Sequence, residues 1–172
     1  MTVRPLLAAF GLALICAIST QSASAASVRL LGDFRDWSSY ASSDSAAGPV
    51  CFSLTKPKSV KPQPDGYTEA HLYMTNRPSE SVANEFNLVV GFPFAPDSTA
   101  TLTVDGQDFT LFTQNDAAWL DDANQSDNLA SAIRAGSSMV VEGTSAGGIK
   151  VTQTYSLSGA TAASQAIGSE CK

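Results

Sequence analysis

Apolar and polar residues alternate along much of the chain, and this two-residue period is typical of β-strands with one buried face. The segment TEAHLYMTNR (68–77) shows the pattern most clearly. Its small and apolar residues fall on one face and its polar or aromatic residues on the other: Ala70, Leu72, Met74 against Glu69, His71, Tyr73. Similar patterns predict strands over 34–41, 47–55, 84–92, 137–144 and 148–157, and a short strand with a turn over 116–123.

A β-hairpin is predicted over TATLTVDGQDFTLFT (99–113). Asp105-Gly106 separates two alternating runs by two residues, which is the signature of a type I′ turn. This turn sets the register, so that Val104 faces Gln107. It also pairs Leu102 with Phe109 and Ala100 with Leu111, which places the apolar side chains on one face.

Two short helices are predicted over 126–136 and 158–168, where the strand period gives way to helical spacing and capping residues. The first helix is predicted to be capped by Ser126 or Asp127 and to end at Gly136. The second is predicted to be capped by Ser158 and to end at Gly168. With about eight strands and no regular alternation of strand and helix, a parallel sheet is disfavoured. The predicted fold is mainly β, an antiparallel β-sandwich or partly open barrel with two short peripheral helices.

Residues 1–25 have the composition of a secretory signal peptide. A single cationic residue, Arg4, precedes an apolar run over 6–18 and a small-residue motif that ends at Ala25. The run is too short to span a bilayer comfortably, and no second such run follows. We therefore expect cleavage after Ala25, a single β-rich domain over 26–172 without a transmembrane segment, and a location in the periplasm or at the cell surface or beyond.

The cysteines support the same compartment. Loss of the leader would remove Cys16 and leave Cys51 and Cys171, an even number in an oxidising environment. A disulfide between these two is the simplest interpretation, and two separate buried thiols are the alternative. Two cysteines and one histidine do not fill a tetrahedral zinc site, so we expect neither a metal nor another cofactor.

Charge narrows the choice of partners. The formal net charge is −6 and becomes −7 once Arg4 is lost, which argues against nucleic acid and anionic lipid as partners. One basic cluster stands out in residues 56–66, which we call the lysine loop; it holds Lys56, Lys58 and Lys61 among three prolines. The prolines exclude a central strand. The loop is either a solvated surface segment or a stiff contact for an acidic partner, which would be a protein or another envelope component.

No convincing catalytic residue emerges. GTSAG (143–147) matches the G-x-S-x-G pattern around Ser145, but that motif requires a strand that turns into a helix, and here strands are predicted on both sides. The only histidine, His71, precedes Ser145, which is the wrong order for that triad. We interpret Ser145 as a hairpin-turn residue. His71 shares a strand face with Glu69, and we interpret it as a surface histidine rather than a binding contact or a general base.

Two further candidates have simpler structural interpretations. DDANQSD (121–127) resembles a calcium loop, but Asp127 stands where an EF-hand beginning at Asp122 needs glycine, and Ile133 where it needs glutamate. Helix capping explains Asp127 better. Trp37 and Trp119 are expected in the core rather than on ligand platforms.

Several segments together resemble the invasion-associated locus B family of exported bacterial proteins. The resemblance rests on FRDWSSYA, VCFSLTKPKS, YMTNRP, VVGFPF, GTSAGG and TYSLSG, and extends from Phe34 to Cys171. It implies a signal peptide, a β-rich fold and paired cysteines, and it transfers no catalytic residue. GTSAGG lacks the basic residue after Ser145 that we expect in many relatives.

These observations together predict a non-catalytic exported binding module of the bacterial envelope, with a role in host interaction implied by the resemblance alone. The alternatives are a serine- or histidine-dependent hydrolase, and a structural or inhibitor-like envelope protein.

Overall fold

A computed structural model describes residues 27–44 and 48–172. The predicted signal peptide, its cleavage site and Cys16 lie outside the described residues. In the described part of the chain, eleven strands form one sheet: β1 (Ser27–Phe34), β2 (Trp37–Asp44), β3 (Gly48–Thr55), β4 (Ser59–Lys61), β5 (His71–Arg77), β6 (Val82–Val89), β7 (Thr99–Val104), β8 (Gln107–Gln114), β9 (Ala117–Leu120), β10 (Ser138–Thr144) and β11 (Lys150–Ser156). Two α-helices accompany them, α1 (Ser126–Ala135) and α2 (Ala160–Glu170), with short 3₁₀ turns at Pro78–Glu80 and Ala123–Gln125.

The sheet is antiparallel throughout, with strand order β1-β2-β3-β5-β6-β9-β8-β7-β10-β11-β4. It folds over on itself without closing into a barrel. Hydrogen bonds between its two halves include Trp37 Nε1 to Ser156 O at 3.1 Å, Asp36 N to Ser158 O at 3.2 Å and Gln153 Nε2 to Val90 O at 2.7 Å. The predicted fold class, mainly β with two helices in a sandwich-like arrangement, is confirmed.

The inner face of the folded sheet holds the hydrophobic core. Leu72 and Met74 of β5 are buried, as the alternation of that segment predicts. The hairpin of β7 and β8 has the predicted register: Val104 lies opposite Gln107, Leu102 opposite Phe109 and Ala100 opposite Leu111. Asp105 and Gly106 both have positive φ, 45° and 91°, as a type I′ turn requires.

The prediction of one strand over 34–41 is wrong. β1 ends at Phe34, and β2 begins at Trp37 after a turn in which Arg35 has a φ of 59°. Nothing in the sequence marks this turn, because residues other than glycine, asparagine and aspartate rarely adopt positive φ. The turn packs against Gly159, whose φ is 100° and where a Cβ would lie 1.7 Å from Phe34 O.

The predicted helix caps are also wrong. Asp122 caps the 3₁₀ turn before α1 by accepting a hydrogen bond from Asn124 N at 3.0 Å, while Asp127 accepts one from Asn84 Nδ2 at 2.8 Å. α2 begins after Gly159, without a side-chain cap from Ser158, and it continues through Gly168 to Glu170. The predicted end of α1 at Gly136 is correct.

The lysine loop avoids the sheet interior, as its prolines predict, but it contributes the edge strand β4. Residues Ser59, Val60 and Lys61 pair with Thr154, Gln153 and Thr152 of β11. This edge position agrees with the restriction that proline places on strands. The loop is therefore attached to the folded body.

α2 covers the inner face of β1, β2 and β3. A disulfide joins Cys171, at the end of α2, to Cys51 of β3, with the two Cα atoms 5.9 Å apart. The buried hydroxyls of Ser39 and Ser53 both donate to Ala163 O, at 3.1 and 3.2 Å. The small side chain of Ala163, fully buried, lets the helix backbone approach the sheet this closely.

A buried polar chain crosses the core on the opposite half of the sheet. Tyr155 Oη donates to Gln153 Oε1 at 2.8 Å, and Gln153 Nε2 donates to Val90 O at 2.7 Å. Burial raises the pKa of Tyr155 well above its usual range, and nearby Tyr67 adds to the effect. The hydroxyl therefore stays protonated at neutral pH and can donate this hydrogen bond.

We predict that Tyr155→Phe lowers the free energy of unfolding by about 1–3 kcal/mol, because it leaves the buried Gln153 Oε1 without a donor. Urea denaturation followed by fluorescence checks this. Tyr40→Phe is the matched control; its hydroxyl is half-exposed and has no partner among the described residues, so we expect a change within about 0.5 kcal/mol. Equal stability of the two variants would contradict the role of the polar chain.

We predict that reduction of Cys51–Cys171, or its replacement by two alanines, lowers the free energy of unfolding by about 2–5 kcal/mol. The bond closes a loop with a sequence separation of 120, and a cross-link over a loop of this length restricts the unfolded chain strongly. Intact mass and urea denaturation with and without reductant check this. Two free thiols in the denatured, unreduced protein would show that the bond does not form.

Candidate functional site

The lysine loop is the first candidate, and the structure shows how its charges are matched. Lys56 Nζ donates to Glu69 Oε1, and Lys58 Nζ donates to Asp36 Oδ1. Lys61 is exposed and has no ion-pair partner in the described part of the chain. About half of each of the Lys56 and Lys58 side chains stays accessible. The loop therefore presents one unpaired and two paired ammonium groups to solvent.

These ion pairs fix the ionisation of the two carboxylates. The hydrogen bond from Lys58, with a further one from Ser156, lowers the pKa of Asp36 below its ordinary 3.8. The hydrogen bond from Lys56 lowers the pKa of Glu69 below its ordinary 4.5. A lowered pKa in the folded state adds stability above the unfolded pKa, and that contribution is lost as the pH falls through the folded value. Both pairs are therefore intact at neutral pH and are lost only in acid.

Backbone hydrogen bonds also hold the lysine loop. Lys58 N donates to Thr154 O at 2.7 Å, immediately before the three ladder pairs of β4. Pro57 lies between Lys56 and Lys58 and restricts their backbone further. The ammonium groups consequently project from a segment whose conformation is already set.

His71 lies next to this loop. Its Nε2 is 3.5 Å from Glu69 Oε2, so the predicted proximity of the two side chains is correct, but Glu69 is shared with Lys56. The imidazole is half-buried, and its ring centroid lies 6.0 Å from that of Tyr73. The simple surface interpretation therefore understates the contacts of His71.

Ser145 lies in the turn between β10 and β11, as we interpreted it from the sequence. Ser145 N donates to Ile149 O at 2.9 Å, Gly148 N donates to Ser145 O at 2.8 Å, and Ile149 N donates to Ser145 Oγ at 3.2 Å. The side chain is only 5% exposed, so it is not a surface hydroxyl. Within the described residues, no hydrogen bond connects Ser145 with His71. The hydroxyl instead closes a turn.

In the segment 121–127, which resembles a calcium loop, two carboxylates already accept hydrogen bonds from asparagine side chains. Asp122 accepts from Asn124, and Asp127 accepts from Asn84. Among residues 27–44 and 48–172, no group of three or more potential metal-ligating side chains is close enough to hold an ion.

In the same part of the chain, none of the helices combines the length and the apolar character needed to cross a membrane.

The two tryptophans differ. Trp37 is buried and donates to Ser156 O, so its interpretation as a core residue is confirmed. For Trp119 that interpretation is wrong: it lies half-exposed on the outer face of β9, stacked on Phe112 with the ring centroids 5.3 Å apart and an interplanar angle of 17°. β9 is too short for its burial pattern to be read reliably from alternation.

Trp119 belongs to a surface that sequence analysis missed. On the outer face of the sheet, Tyr40 stacks on Phe52 with the centroids 5.3 Å apart, and Phe52 contacts Tyr73 at 6.3 Å. A groove of about 350 Å³ separates this cluster from Trp119. We call it the outer groove; its lining includes Phe52, Tyr73, Thr75, Asn87 and Trp119. The available signal was the series of aromatic residues at outward positions of neighbouring strands.

One end of the outer groove is formed by an ion-pair cluster. Arg77 Nη2 donates to Glu85 Oε1 at 3.0 Å, and Arg77 Nε donates to Glu80 Oε2 at 2.9 Å. The hydrogen bonds that Arg77 donates to Glu85 and Glu80 raise the pKa of Arg77 above its usual range. The guanidinium remains charged and compensated, so the groove carries no unmatched positive charge.

The chain resembles known proteins both in sequence and in fold. A family model described as invasion associated locus B (IalB) protein matches residues 37–168. Among solved structures, the chain is similar to the crystal structure of invasion associated protein B from Bartonella henselae, with 16% sequence identity and a TM-score of 0.57. The match covers 82% of this chain and 98% of that chain, and at this identity it concerns the fold. Among curated proteins, no sequence matches the chain.

We predict that Ser145→Ala lowers the free energy of unfolding by about 0.5–1.5 kcal/mol, because Ile149 N–H loses its side-chain acceptor. Urea denaturation checks this, with exposed Ser138→Ala as the control expected to change stability by less than about 0.5 kcal/mol. We also expect no reaction of Ser145 with a fluorophosphonate probe in the native protein. Labelling at this residue would overturn the turn assignment.

Proposed function

Because the chain belongs to the invasion associated locus B family, we propose that it is a non-catalytic binding module exported to the bacterial envelope. The Cys51–Cys171 disulfide is compatible with an oxidising compartment and supports export. In this proposal, residues 1–25 are a signal peptide that is removed, and 26–172 form one domain in the periplasm or at the cell surface.

A non-catalytic role agrees with the chemistry of the two former catalytic candidates. A nucleophilic serine needs an accessible hydroxyl and a neighbouring general base. Ser145 Oγ is buried and accepts the Ile149 N–H instead. His71 faces Glu69, which already accepts a hydrogen bond from Lys56. We therefore favour binding over serine- or histidine-dependent hydrolysis.

The observation that carries the proposal is the fixed and projecting lysine loop. Its backbone is bonded to β11, while the Lys61 ammonium is unpaired in the described structure and those of Lys56 and Lys58 stay half-exposed. A pre-set segment loses less conformational entropy when a partner binds it. On an otherwise acidic protein, this loop is the place where an acidic partner, a protein or another envelope component, meets the least repulsion.

Affinity capture from envelope extracts with the purified protein, followed by mass spectrometry, identifies the partner. We predict that replacing Lys56, Lys58 and Lys61 together by serine weakens its binding about 3- to 100-fold at low salt. The loss should shrink as salt rises, because ions screen exposed charges within about 8 Å at physiological strength. Association rates from biolayer interferometry at several salt concentrations check this.

The structure refines the expected contributions of the three lysines. Lys61→Ser alone should cause the largest single loss, because Lys56 and Lys58 already share their charge with Glu69 and Asp36. Lys172→Ser is the matched control, because this exposed lysine follows Cys171 at the other end of β3 from the lysine loop, and it should leave the association rate unchanged. A triple variant that associates at the original rate in low salt would exclude the lysine loop from the contact.

A further inference from the structure

We propose that the outer groove binds a neutral glycan chain that lies across the strands and stacks on the aromatic side chains of the outer face. This surface is separate from the lysine loop, and the inference goes beyond the proposed envelope function. It rests on three features of the groove: its aromatic walls, its polar floor and its charge balance.

The walls are formed by Phe52 and Tyr73 on one side and Trp119 on the other, and Phe52 and Trp119 are each supported by a stacked neighbour. Tyr40, Phe52 and Tyr73 come from the adjacent strands β2, β3 and β5, and Trp119 and Phe112 come from β9 and β8. Neighbouring strands lie about 4.8 Å apart, so the rings repeat at a spacing close to the length of one sugar unit. Half-exposed aromatic rings offer large, rigid apolar faces at a low cost in conformational entropy.

The floor of the groove is polar. Asn87 of β6 lies directly opposite Tyr73 on one side and Trp119 on the other, so the two rings stand about two strand spacings, or about 10 Å, apart. In the described structure, neither the Asn87 amide nor the Thr75 hydroxyl has a hydrogen-bond partner. An amide offers two donors and one acceptor, and a hydroxyl offers both functions. Together they match the alternating donors and acceptors of vicinal sugar hydroxyls.

The charge of the groove favours a neutral ligand. Its two charged lining residues, Arg77 and Glu85, bond to each other, and Glu80 adds a second carboxylate to the same guanidinium. An anionic polymer would find no free cation here on a protein of formal charge −6. A cationic ligand would have to compete with Arg77 for both carboxylates.

Two other occupants fit less well. A peptide strand cannot add to this surface, because the ladder groups of β5 and β6 already pair with strands on both sides. A second copy packed face to face would bury the Asn87 amide and the Thr75 hydroxyl, and unpaired buried polar groups are costly. A sugar ring places its C–H faces on aromatic rings and its hydroxyls at the edge, where these two residues lie.

The test uses two neutral β-linked tetrasaccharides, cellotetraose and tetra-N-acetylchitotetraose, titrated into the purified protein. Calorimetry and saturation-transfer NMR should detect binding of at least one of them, with a change in the emission of Trp119, since Trp37 is buried. Trp119→Ala should weaken binding about tenfold or more, and Asn87→Ala about 3- to 10-fold. Ile149→Ser, which removes an exposed apolar side chain elsewhere, should leave affinity unchanged, as should the triple lysine variant.

The outcomes separate the alternatives. Trp119→Tyr keeps an aromatic face and should retain most of the affinity, and denaturation curves show whether each variant is folded. If Trp119→Ala does not fold, Asn87→Ala and Trp119→Tyr still decide the question. Absence of binding by both tetrasaccharides at millimolar concentration, or equal affinity in Trp119→Ala, overturns the proposal. So does a self-associated protein that Trp119→Ala converts to monomers in sedimentation while neither sugar binds.

Discussion

The attachment of α2 to the inner face of the first three strands is the contact on which the rest of the structure depends. α2 packs on β1, β2 and β3, where Ile167 and Cys171 form a small hydrophobic cluster with Ala41 and Cys51, apart from the main core. Its attachment combines the Cys51–Cys171 bond with the two serine hydrogen bonds to Ala163 O. Gly159 starts the helix at a φ of 100°, so close to Phe34 O that no side chain fits.

Because α2 covers the inner face of β1, β2 and β3, their outer face is the one that solvent reaches. The outward side chains of β5 and of the segment before it link both proposed surfaces, since Glu69 contacts Lys56 and His71, and His71 lies beside Tyr73 at the groove. Glu69 and His71 therefore lie between the lysine loop and the outer groove. Adjacency of this kind does not by itself couple two surfaces, so each is expected to bind independently.

The sequence predicted those features of the fold that depend on neighbouring residues alone. The Asp105-Gly106 hairpin follows from turn chemistry, and the buried face of 68–77 follows from alternation. The turn at Arg35 was missed because its positive φ is imposed by packing against Gly159 rather than by its own residue type. The outer groove was missed for a different reason. β6 pairs with β9 rather than with the next strand in sequence, so the approach of Asn87 to Trp119 depends on strand order, which no local pattern reveals.

The chain order of the two bonded cysteines has a consequence for biogenesis. Cys51 lies in the third strand, and its partner is synthesised 120 residues later. During N-to-C synthesis, β1, β2 and β3 therefore have an unpaired thiol and an uncovered inner face until α2 has been made. This half of the sheet can therefore complete its packing only after α2 has been synthesised, and an apolar face that stays uncovered for that long favours aggregation of the incomplete chain.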